Sequence, residues 1–488
     1  MTHDLVVFVP GILGSRLRLP AEAHHGGPGG GSTGAEGAGE DVWDLSLRVA
    51  GRVLLRGTEE FFSRLTLPPG LGTGEPDAPH RLEPAGPLLT PRCWPGLMPH
   101  LAYKPLRDHF RQAGETGQNR IVTFSYDWRL SNEVSARRLA AFLERELGRW
   151  RETCRKEGVP EEPKAVLVGH SMGGLVALCY LELFGGRDTT RSLVTIGTPY
   201  AGAVKAVQAL TGAFPRRKLP GVPGRLRERL VAAARSMPAV HELLPTYQCV
   251  TGHPDGTRLD AVPLPDLDTA VVGHAFAFRA RLEERMRRNR AEDERAGRPA
   301  PYEWFAAGGR GTPTAVSLAL DADGLRFADR LPGDRRWQGD GTVACLSATP
   351  PAWESGARMD WYRLGHTELA NDRDLHLQLQ DRYQALDHRG FQADDTGFGL
   401  DVPEAVTAGE PFGFGAVSEE PRMVLDARLH DPETGRTETE LRLAPDGEGG
   451  YRAEATLPAG LWTVEVTAPR QRALPSRRET LLVLERPE

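Results

Sequence analysis

Short apolar runs alternate with segments of helical spacing over the first 200 residues. Leu5–Val9 and Lys164–Gly169 are typical of strands buried on both faces, and Ser192–Ile196 has the same character. Arg137–Arg151 repeats apolar residues every three or four positions, and Gly173–Phe184 is apolar nearly all round, so both are predicted to be helices. The alternation predicts a mostly parallel sheet covered by helices on both faces.

This pattern changes after Gly202. Residues 203–312 carry helical periods, best developed in Arg225–Leu244 and Phe276–Glu294, and they predict a cap inserted into the sheet domain. Strand character returns in residues 313–392, which we assign to the second part of the core. The expected elements there are strands at Thr314–Leu320, Thr342–Leu346 and Trp361–Leu364, and a helix at Leu375–Leu386.

The second cap helix carries Phe278, Leu282 and Met286 at a spacing of about four residues. Such a stripe either contacts lipid or forms the buried side of a surface helix. Because buried stripes are the commoner case, we expect these side chains to pack inside the protein.

Residues 397–488 have a different character, because short alternating strands are separated there by turn sequences rich in Pro, Asp and Gly. This spacing predicts a β-sandwich-like accessory domain. Its expected strands are Met423–Leu429, Thr437–Leu443, Tyr451–Thr456, Leu461–Val466 and Thr480–Leu484.

The first core segment, residues 1–202, also contains a Gly-rich stretch at 21–41 that predicts a flexible surface loop. His24 and His25 lie in this stretch, where we expect solvated side chains rather than metal ligands. The complete organisation is therefore an α/β core in two parts, an inserted mainly helical cap, and a C-terminal all-β domain.

Composition narrows the setting. Hydrophobic residues make up 40% of the 488 residues, which suits a packed core, and the net charge of -6 gives no basic footprint for nucleic acid. The five Cys are scattered without a C-x-x-C pair, so we expect free thiols. We see neither a signal peptide nor an apolar run long enough to span a bilayer. We therefore expect a cytoplasmic protein whose contact with membranes is peripheral.

The strongest chemical signal is Gly169-His170-Ser171-Met172-Gly173. It matches G-x-S-x-G and lies between a predicted buried strand and a predicted apolar helix, the context in which a sharp turn exposes a nucleophilic hydroxyl. Ser171 is therefore the candidate nucleophile, and the alternative is an ordinary tight turn. The N–H of Met172 would be one donor to the oxyanion that forms during acyl transfer.

A serine hydroxyl needs a base. In the α/β-hydrolase fold, which the strand–G-x-S-x-G–helix context indicates, an acid and then a histidine follow the serine along the chain. Asp340 lies in a Gly-flanked turn and His366 follows a predicted strand, so both could reach Ser171 from loops. They are our candidates for acid and base, and their alternatives are a turn-capping Asp and a hydrogen-bonded loop His. Competing acids are Asp321, Asp323 and Asp329, and competing bases are His274, His376 and His388.

The second oxyanion donor is expected in the loop after the first strand, Pro10–Gly14, where Gly11 permits a turn that points the Ile12 N–H inward. The sequence contains no metal-binding constellation and no phosphate-binding glycine loop, so we expect neither a metal nor a cofactor. Asp321–Gly324 resembles a fragment of a calcium loop but lacks the distal Glu, and we interpret it as a turn.

An ordered set of short segments resembles the lecithin:cholesterol acyltransferase family, which includes lysosomal phospholipase A-type enzymes. They span about residues 4–390 and comprise Val7–Ser15, Tyr126–Arg129, Gly169–Gly174, Thr195–Pro199, Ser236–Pro238, Glu242–Pro245, Gly339–Val343 and Gly365-His366. The resemblance implies Ser171, Asp340 and His366 as a catalytic triad, with Met172 and Ile12 as oxyanion donors. Trp43 resembles an early aromatic residue near the family's acyl site, and its alternative is a packing role.

The sequence is compatible with three functions. The first is a lipid acyl hydrolase or acyltransferase that acts on glycerophospholipids or related esters through an acyl-enzyme. The second is a soluble carboxylesterase for short esters, and the third is a non-catalytic protein that binds lipid or a partner on the same fold. The C-terminal domain could dock lipid or a protein partner, or give structural support.

Overall fold

The computed structural model describes most of the chain. The described residues are 3–20, 40–44, 59–68, 81–88, 103–109, 119–213, 224–252, 257–264, 266–321, 324–331, 338–353, 359–384, 397–403, 405–418, 423–432, 434–446, 450–471, 474 and 476–485. His24, His25, Cys93, Asp323, His388 and nearly all of the predicted Gly-rich loop lie outside them. The other cysteines, Cys154, Cys179, Cys249 and Cys345, are free thiols, as predicted.

The strands of the first 400 residues are numbered in chain order. They are β1 (Leu5–Val9), β2 (Ser15–Arg18), β3 (Asp41–Trp43), β4 (Glu83–Pro87), β5 (Arg120–Thr123), β6 (Ala165–His170), β7 (Thr190–Ile196), β8 (Glu303–Gly309), β9 (Thr312–Pro313), β10 (Ser317–Asp321), β11 (Gly324–Ala328), β12 (Gln338–Gly339) and β13 (Asp360–Tyr362). The helices are α1 (59–65), α2 (104–109), α3 (Asn132–Lys156), α4 (Met172–Leu183), α5 (Val204–Thr211), α6 (Gly224–Ser236), α7 (Pro238–His241), a 3-10 turn (Leu259–Ala261), α8 (Thr269–Arg295), α9 (Cys345–Ala348), α10 (His366–Asn371) and α11 (Arg373–Gln384).

The central sheet is parallel and has the strand order β13-β8-β7-β6-β1-β5 among the described strands. Its first strand is buried on both faces: Leu5, Val7 and Val9 belong to one hydrophobic core, whereas Val6 and Phe8 belong to another. This agrees with the predicted parallel sheet covered by helices, an α/β-hydrolase-like arrangement. All carboxyl ends of the strands meet at one edge, where ligands bind in such sheets.

Three predicted elements in the middle of the chain differ in the structure. Strand β8 lies within the range assigned to the cap, so the central sheet resumes at Glu303; its small residues (Ala306 to Gly309) lack the β-branched signal of a strand. The strand expected at Thr314–Leu320 pairs with β11 in a separate hairpin. The strand expected at Thr342–Leu346 is replaced by a turn and α9, because the Asp340 carboxylate accepts the backbone N–H groups of Thr342 and Val343 and turns the chain.

The cap region contains helices α5 to α8, and the first predicted cap helix is divided in two. Pro238 begins α7 because proline cannot continue the hydrogen bonding of α6 but suits the first turn of a helix. Phe278 and Leu282 on α8 are buried, and Met286 packs against the same core. The stripe is therefore the buried side of the helix, as predicted. The start of the cap at residue 203 stays a prediction, whereas its end at residue 312 does not agree with the position of β8.

The C-terminal region is all-β, as predicted, and its two sheets share one core. The sheets have the orders β14-β16-β20-β19 and β15-β22-β21-β17-β18, and β15 pairs with β22 in parallel. Trp462, Val464 and Val466 are buried between the sheets. The strands are β14 (Phe398–Asp401), β15 (Ala405–Thr407), β16 (Phe412–Ser418), β17 (Asp426–His430), β18 (Thr437–Arg442), β19 (Ala444–Pro445), β20 (Gly450–Ala455), β21 (Gly460–Thr467) and β22 (Arg477–Leu484).

Candidate active site

Ser171 lies in the sharp turn between β6 and α4, at the carboxyl edge of the central sheet. Its backbone has φ 53° and ψ -127°, a conformation that costs a residue with a side chain about 1–3 kcal/mol. The Ser171 N–H donates to the Ile196 carbonyl at 2.8 Å, and the Gly174 N–H donates to the Ser171 carbonyl at 3.0 Å. These bonds hold the strained turn, so the serine hydroxyl stands at its tip.

The glycines of the motif allow α4 to pack closely against the sheet. A Cβ atom at Gly173 would overlap the backbone carbonyl of Val9 at the end of β1. A Cβ atom at Gly169 would lie 2.5 Å from the Gly174 Cα atom. The start of the helix can therefore approach the loop after β1 only without these side-chain atoms.

Ser171, His366 and Asp340 form one hydrogen-bonded chain. The Ser171 Oγ and His366 Nε2 atoms are 2.9 Å apart, and the His366 Nδ1 and Asp340 Oδ2 atoms are 2.7 Å apart. The other carboxylate oxygen, Asp340 Oδ1, accepts the N–H groups of Thr342 at 2.9 Å and Val343 at 2.6 Å. Asp340 is buried and Ser171 is only 7% exposed, so this series of hydrogen bonds runs from the protein interior to the floor of a cleft.

The loop after β1 lies directly against the turn that carries Ser171. A Cβ atom at Gly11 would be 3.0 Å from the Ser171 Cβ atom, and Ile12 lines the same cleft as Ser171. Leu13 has a positive φ of 64°, which marks the tight turn. Met172 begins α4, so its N–H has no acceptor within the helix. Both predicted oxyanion donors therefore lie beside Ser171.

Aromatic side chains fix this loop through its backbone. The Tyr126 hydroxyl donates to the Pro10 carbonyl at 2.8 Å, and the Trp128 indole N–H donates to the Ser15 carbonyl at 3.0 Å. The Trp43 indole N–H donates to the Leu13 carbonyl at 2.9 Å. Each aromatic ring is buried and each polar atom bonds to the backbone of the loop or of the residue that follows it, so the rings hold the loop in place.

A second buried chain of hydrogen bonds, centred on Tyr103 and His170, was not predicted from the sequence. The Gly11 N–H donates to the Tyr103 hydroxyl at 3.0 Å. Burial lowers the pKa of His170 to about 3, so the ring is neutral and carries one N–H. The His366 carbonyl can only accept, so this N–H is at Nε2 and donates to it at 3.0 Å, and Nδ1 accepts the Tyr103 hydroxyl proton at 2.8 Å. This chain joins the loop of Ile12 to the backbone of His366.

No short-range pattern could have revealed this pair, because Tyr103 and His170 are 67 residues apart. The one local signal is that a histidine occupies the second position of G-x-S-x-G, where the motif allows any residue.

Ser171 lies at the floor of a largely apolar cleft with a volume of about 300 Å³. Trp43 lines it and packs edge-on against Trp128 at a ring distance of 5.3 Å. The apolar wall also comes from the loop after β1, from α1 and from the cap: Leu13, Phe62, Leu65, Ala206, Leu230, Val231, Met237 and Val240. Polar residues that line the same cleft as His366 include Thr342, Thr367 and Thr480, and the Lys205 ammonium group donates to the Thr342 hydroxyl at 3.4 Å.

Those competing acids and bases that the structure describes lie outside the Ser171–His366–Asp340 site. Asp321 pairs with Arg326 in the β10–β11 hairpin, and Asp329 lies 3.9 Å from Arg330. His274 is exposed on α8. His376 is buried on α11 and bonds the Ala370 carbonyl at 2.9 Å, and burial lowers its pKa to about 4.

Within the described parts of the chain, no group of three His, Cys, Asp or Glu side chains could hold a metal ion. Of the helices described, none has the length and apolar character needed to cross a membrane.

Comparison with known proteins gives one family match. The model of the lecithin:cholesterol acyltransferase family matches residues 99–256, which include Ser171 and the first part of the cap. A search of curated sequences found no match. The family match supports a lipid acyl hydrolase or acyltransferase in general terms.

Several solved structures are similar, all at low identity. The Tle4-Tli4 complex has 15% identity and a TM-score of 0.49, with 79% of this chain and 100% of that chain covered. The Bacillus licheniformis lipase BlEst2 in its propeptide form has 15% identity and a TM-score of 0.34, with 76% and 68% covered. Phospholipase PlaB from Legionella pneumophila has 10% identity and a TM-score of 0.25, with 78% and 88% covered. The resemblance to the lecithin:cholesterol acyltransferase family is thus confirmed over residues 99–256, on an α/β-hydrolase-like fold.

Proposed function

We propose that this protein is a serine-dependent lipid acyl hydrolase or acyltransferase that acts on glycerophospholipids or related acyl esters. The observation that carries the proposal is the hydrogen-bonded chain from Ser171 through His366 to Asp340 at the floor of an apolar cleft. A binding protein has no need for a strained serine turn that is paired with a buried His–Asp couple.

In the first step, the Ser171 Oγ atom would attack the ester carbonyl while His366 Nε2 takes the hydroxyl proton. Asp340 would hold the imidazole with its Nδ1 proton toward the carboxylate and stabilise the imidazolium. The N–H groups of Met172 and Ile12 would donate to the oxyanion. The tetrahedral intermediate would then collapse to the acyl-enzyme as His366 protonates the leaving alcohol.

In the second step, water or an acceptor alcohol would give its proton to His366 Nε2 while its oxygen bonds to the acyl carbon. The bond to Ser171 Oγ then breaks, and the proton returns to the serine. The reaction is hydrolysis if water reacts and acyl transfer if a lipid hydroxyl reacts, and the dryness of the closed site governs the choice.

The lining of the cleft supports a long acyl chain over a short one. Its side near Trp43 and the cap is built mainly from apolar side chains, with Lys205 and Arg227 as the charged members from the cap, and the apolar part would take an acyl chain out of water. The cleft volume of about 300 Å³ is at the lower end for ligand pockets, so we expect the chain to extend along the cleft toward solvent. Contact with a membrane surface would then be peripheral, and docking of a protein partner by the C-terminal domain stays a prediction.

The test is to incubate the protein and a Ser171→Ala variant with mixed phospholipid vesicles and to identify the products by mass spectrometry. We expect free fatty acid with lysolipid, or newly acylated acceptors, only with the unsubstituted protein. If the phospholipids are unchanged while short p-nitrophenyl esters are cleaved, the protein is a soluble carboxylesterase. If neither substrate reacts, the proposal is wrong and a binding function is favoured.

A further inference from the structure

The C-terminal β-sandwich packs directly against the loops that carry Asp340 and His366. On β14, a Cβ atom at Gly399 would overlap the carbonyl oxygen of Gly311, so the two backbones touch. The next residue, Thr312, forms a β-bridge with Asp340. The sandwich therefore supports the strand end from which the candidate acid projects.

A second contact joins β22 to the residues around the candidate base. A Cβ atom at Gly365 would overlap the Glu479 carboxylate. The Glu368 carboxylate accepts the Gly365 N–H at 3.1 Å through one oxygen and the Arg478 N–H at 3.0 Å through the other. Glu368 thus connects the N-terminus of the helix that begins with His366 to the backbone of the sandwich.

The sandwich also lines the cleft itself. Five of its residues share that lining with Ser171 and His366: Leu400, Val402, Pro403, Glu479 and Thr480. Leu400 and Val402 belong to the core of the sandwich, whereas Thr480 is only half-buried on β22 and lies outside that core. Thr480 is therefore a cleft residue that can be changed without removing a core side chain.

The chemistry of the reaction decides which part of the ester lies against this wall. His366 Nε2 must protonate the leaving oxygen, so the leaving alcohol lies on the His366 side of Ser171. The contacts through Gly365, Gly399 and Glu368 place the sandwich on that same side. The side formed by Trp43 and the cap is left for the acyl chain.

We propose that the β-sandwich forms the wall that receives the alcohol part of the ester, and that Thr480 contributes to the choice of that alcohol. This inference rests on the proposed acyl transfer at Ser171. In the acylation step the C–O bond to the alcohol breaks and the alcohol leaves with the proton from His366. An acceptor alcohol enters the same place in the reverse direction and loses its proton to His366, so one wall acts on both leaving group and acceptor.

The test uses the full chain and a series of palmitoyl esters that differ only in the alcohol: methanol, p-nitrophenol, glycerol and glycerophosphocholine. Thr480→Trp narrows the proposed wall, and Thr480→Leu is a milder change if the tryptophan variant does not fold. Thr437→Trp is the matched control, because Thr437 is exposed on the edge strand β18 of the same sheet. Circular dichroism and thermal unfolding establish that each variant is folded.

We expect Thr480→Trp to lower the ratio of kcat/KM for the bulkiest cleaved alcohol to that for the methyl ester by at least about tenfold. Thr480→Leu should lower it less, and Thr437→Trp should leave it unchanged. A folded Thr480→Trp protein with an unaltered ratio overturns the inference. If the unsubstituted protein cleaves no ester of the series in a Ser171-dependent manner, the proposed function fails instead. If only the glycerophosphocholine ester is not cleaved, the inference is tested by the kcat/KM ratios of the remaining esters.

Discussion

The hydrogen bonds around Asp340 lead to a specific prediction for Asp340→Asn. Three donors converge on this carboxylate: His366 Nδ1–H on Oδ2, and the N–H groups of Thr342 and Val343 on Oδ1. An asparagine has one acceptor oxygen and one NH₂ donor in place of the two oxygens. It therefore cannot satisfy both sets of donors.

If the asparagine oxygen faces the two backbone N–H groups, its NH₂ group donates to His366 Nδ1. The imidazole proton then sits on Nε2, which can no longer accept the proton of Ser171. If the side chain is flipped, the NH₂ group meets two N–H donors in a buried site, at a cost of about 1–3 kcal/mol for each donor left unpaired. The first orientation is therefore favoured, and the histidine is held in the wrong tautomer.

In serine hydrolases this change of tautomer lowers kcat by about 10⁴-fold, which corresponds to about 5 kcal/mol of transition-state stabilisation. We expect a loss of this size for Asp340→Asn, measured as kcat on p-nitrophenyl esters near neutral pH, with little change in KM. Asp321→Asn, in the hairpin away from the cleft, is the control and should keep full activity. A folded Asp340→Asn protein with kcat within about tenfold of the original would refute this reasoning.

The remaining predictions concern the packing and hydrogen bonds around the turn that carries Ser171. Tyr103→Phe leaves the Gly11 N–H and His170 Nδ1 without their buried partner, so the free energy of unfolding should fall by about 1–3 kcal/mol and kcat/KM by about tenfold; no change in either would contradict this. Gly173→Ala improves helix propensity by up to about 1 kcal/mol, yet its Cβ atom would overlap the Val9 carbonyl, so thermal unfolding should show destabilisation with loss of activity, and a stabilised variant would be the contrary result. Because burial lowers the pKa of His170 to about 3 and an unfolded histidine titrates near 6.5, its contribution to stability should be complete above about pH 6.5 and be lost as the pH falls toward 3. Denaturant unfolding at a series of pH values should then have a shallower pH slope in His170→Gln, by up to about 1.4 kcal/mol per pH unit, and equal slopes would speak against a neutral buried His170.

Local sequence is sufficient to predict the sharp turn that carries Ser171. Leu5–Val9 and the segment before Ser171 are unbroken apolar strands, and the small residues around the serine permit one kind of turn between strand and helix. The order of Ser171, Asp340 and His366 along the chain then limited the acid and base to a few candidates. The structure brings the favoured pair into hydrogen bonding with Ser171.

Features that depend on distant parts of the chain could not be predicted in this way. Sequence alone places β8 in the cap, because its Ala and Gly residues have no strand signal of their own. Its position in the central sheet depends on pairing with β7 and β13. The bond between Tyr103 and His170, and the contact of Thr480 with the cleft, join segments that no periodic pattern relates. Periodicity predicts where a helix or strand lies in the sequence, whereas tertiary packing decides which of its residues line the cleft.

The most direct test of the central claim is to identify the serine that reacts with a fluorophosphonate. The native protein would be labelled, digested and analysed by mass spectrometry, beside Ser171→Ala and the heat-unfolded protein. The account predicts one adduct on the peptide that contains Ser171, absent from the other two samples. An adduct on a different serine, or labelling that persists in Ser171→Ala, would contradict the assignment of Ser171 as the nucleophile.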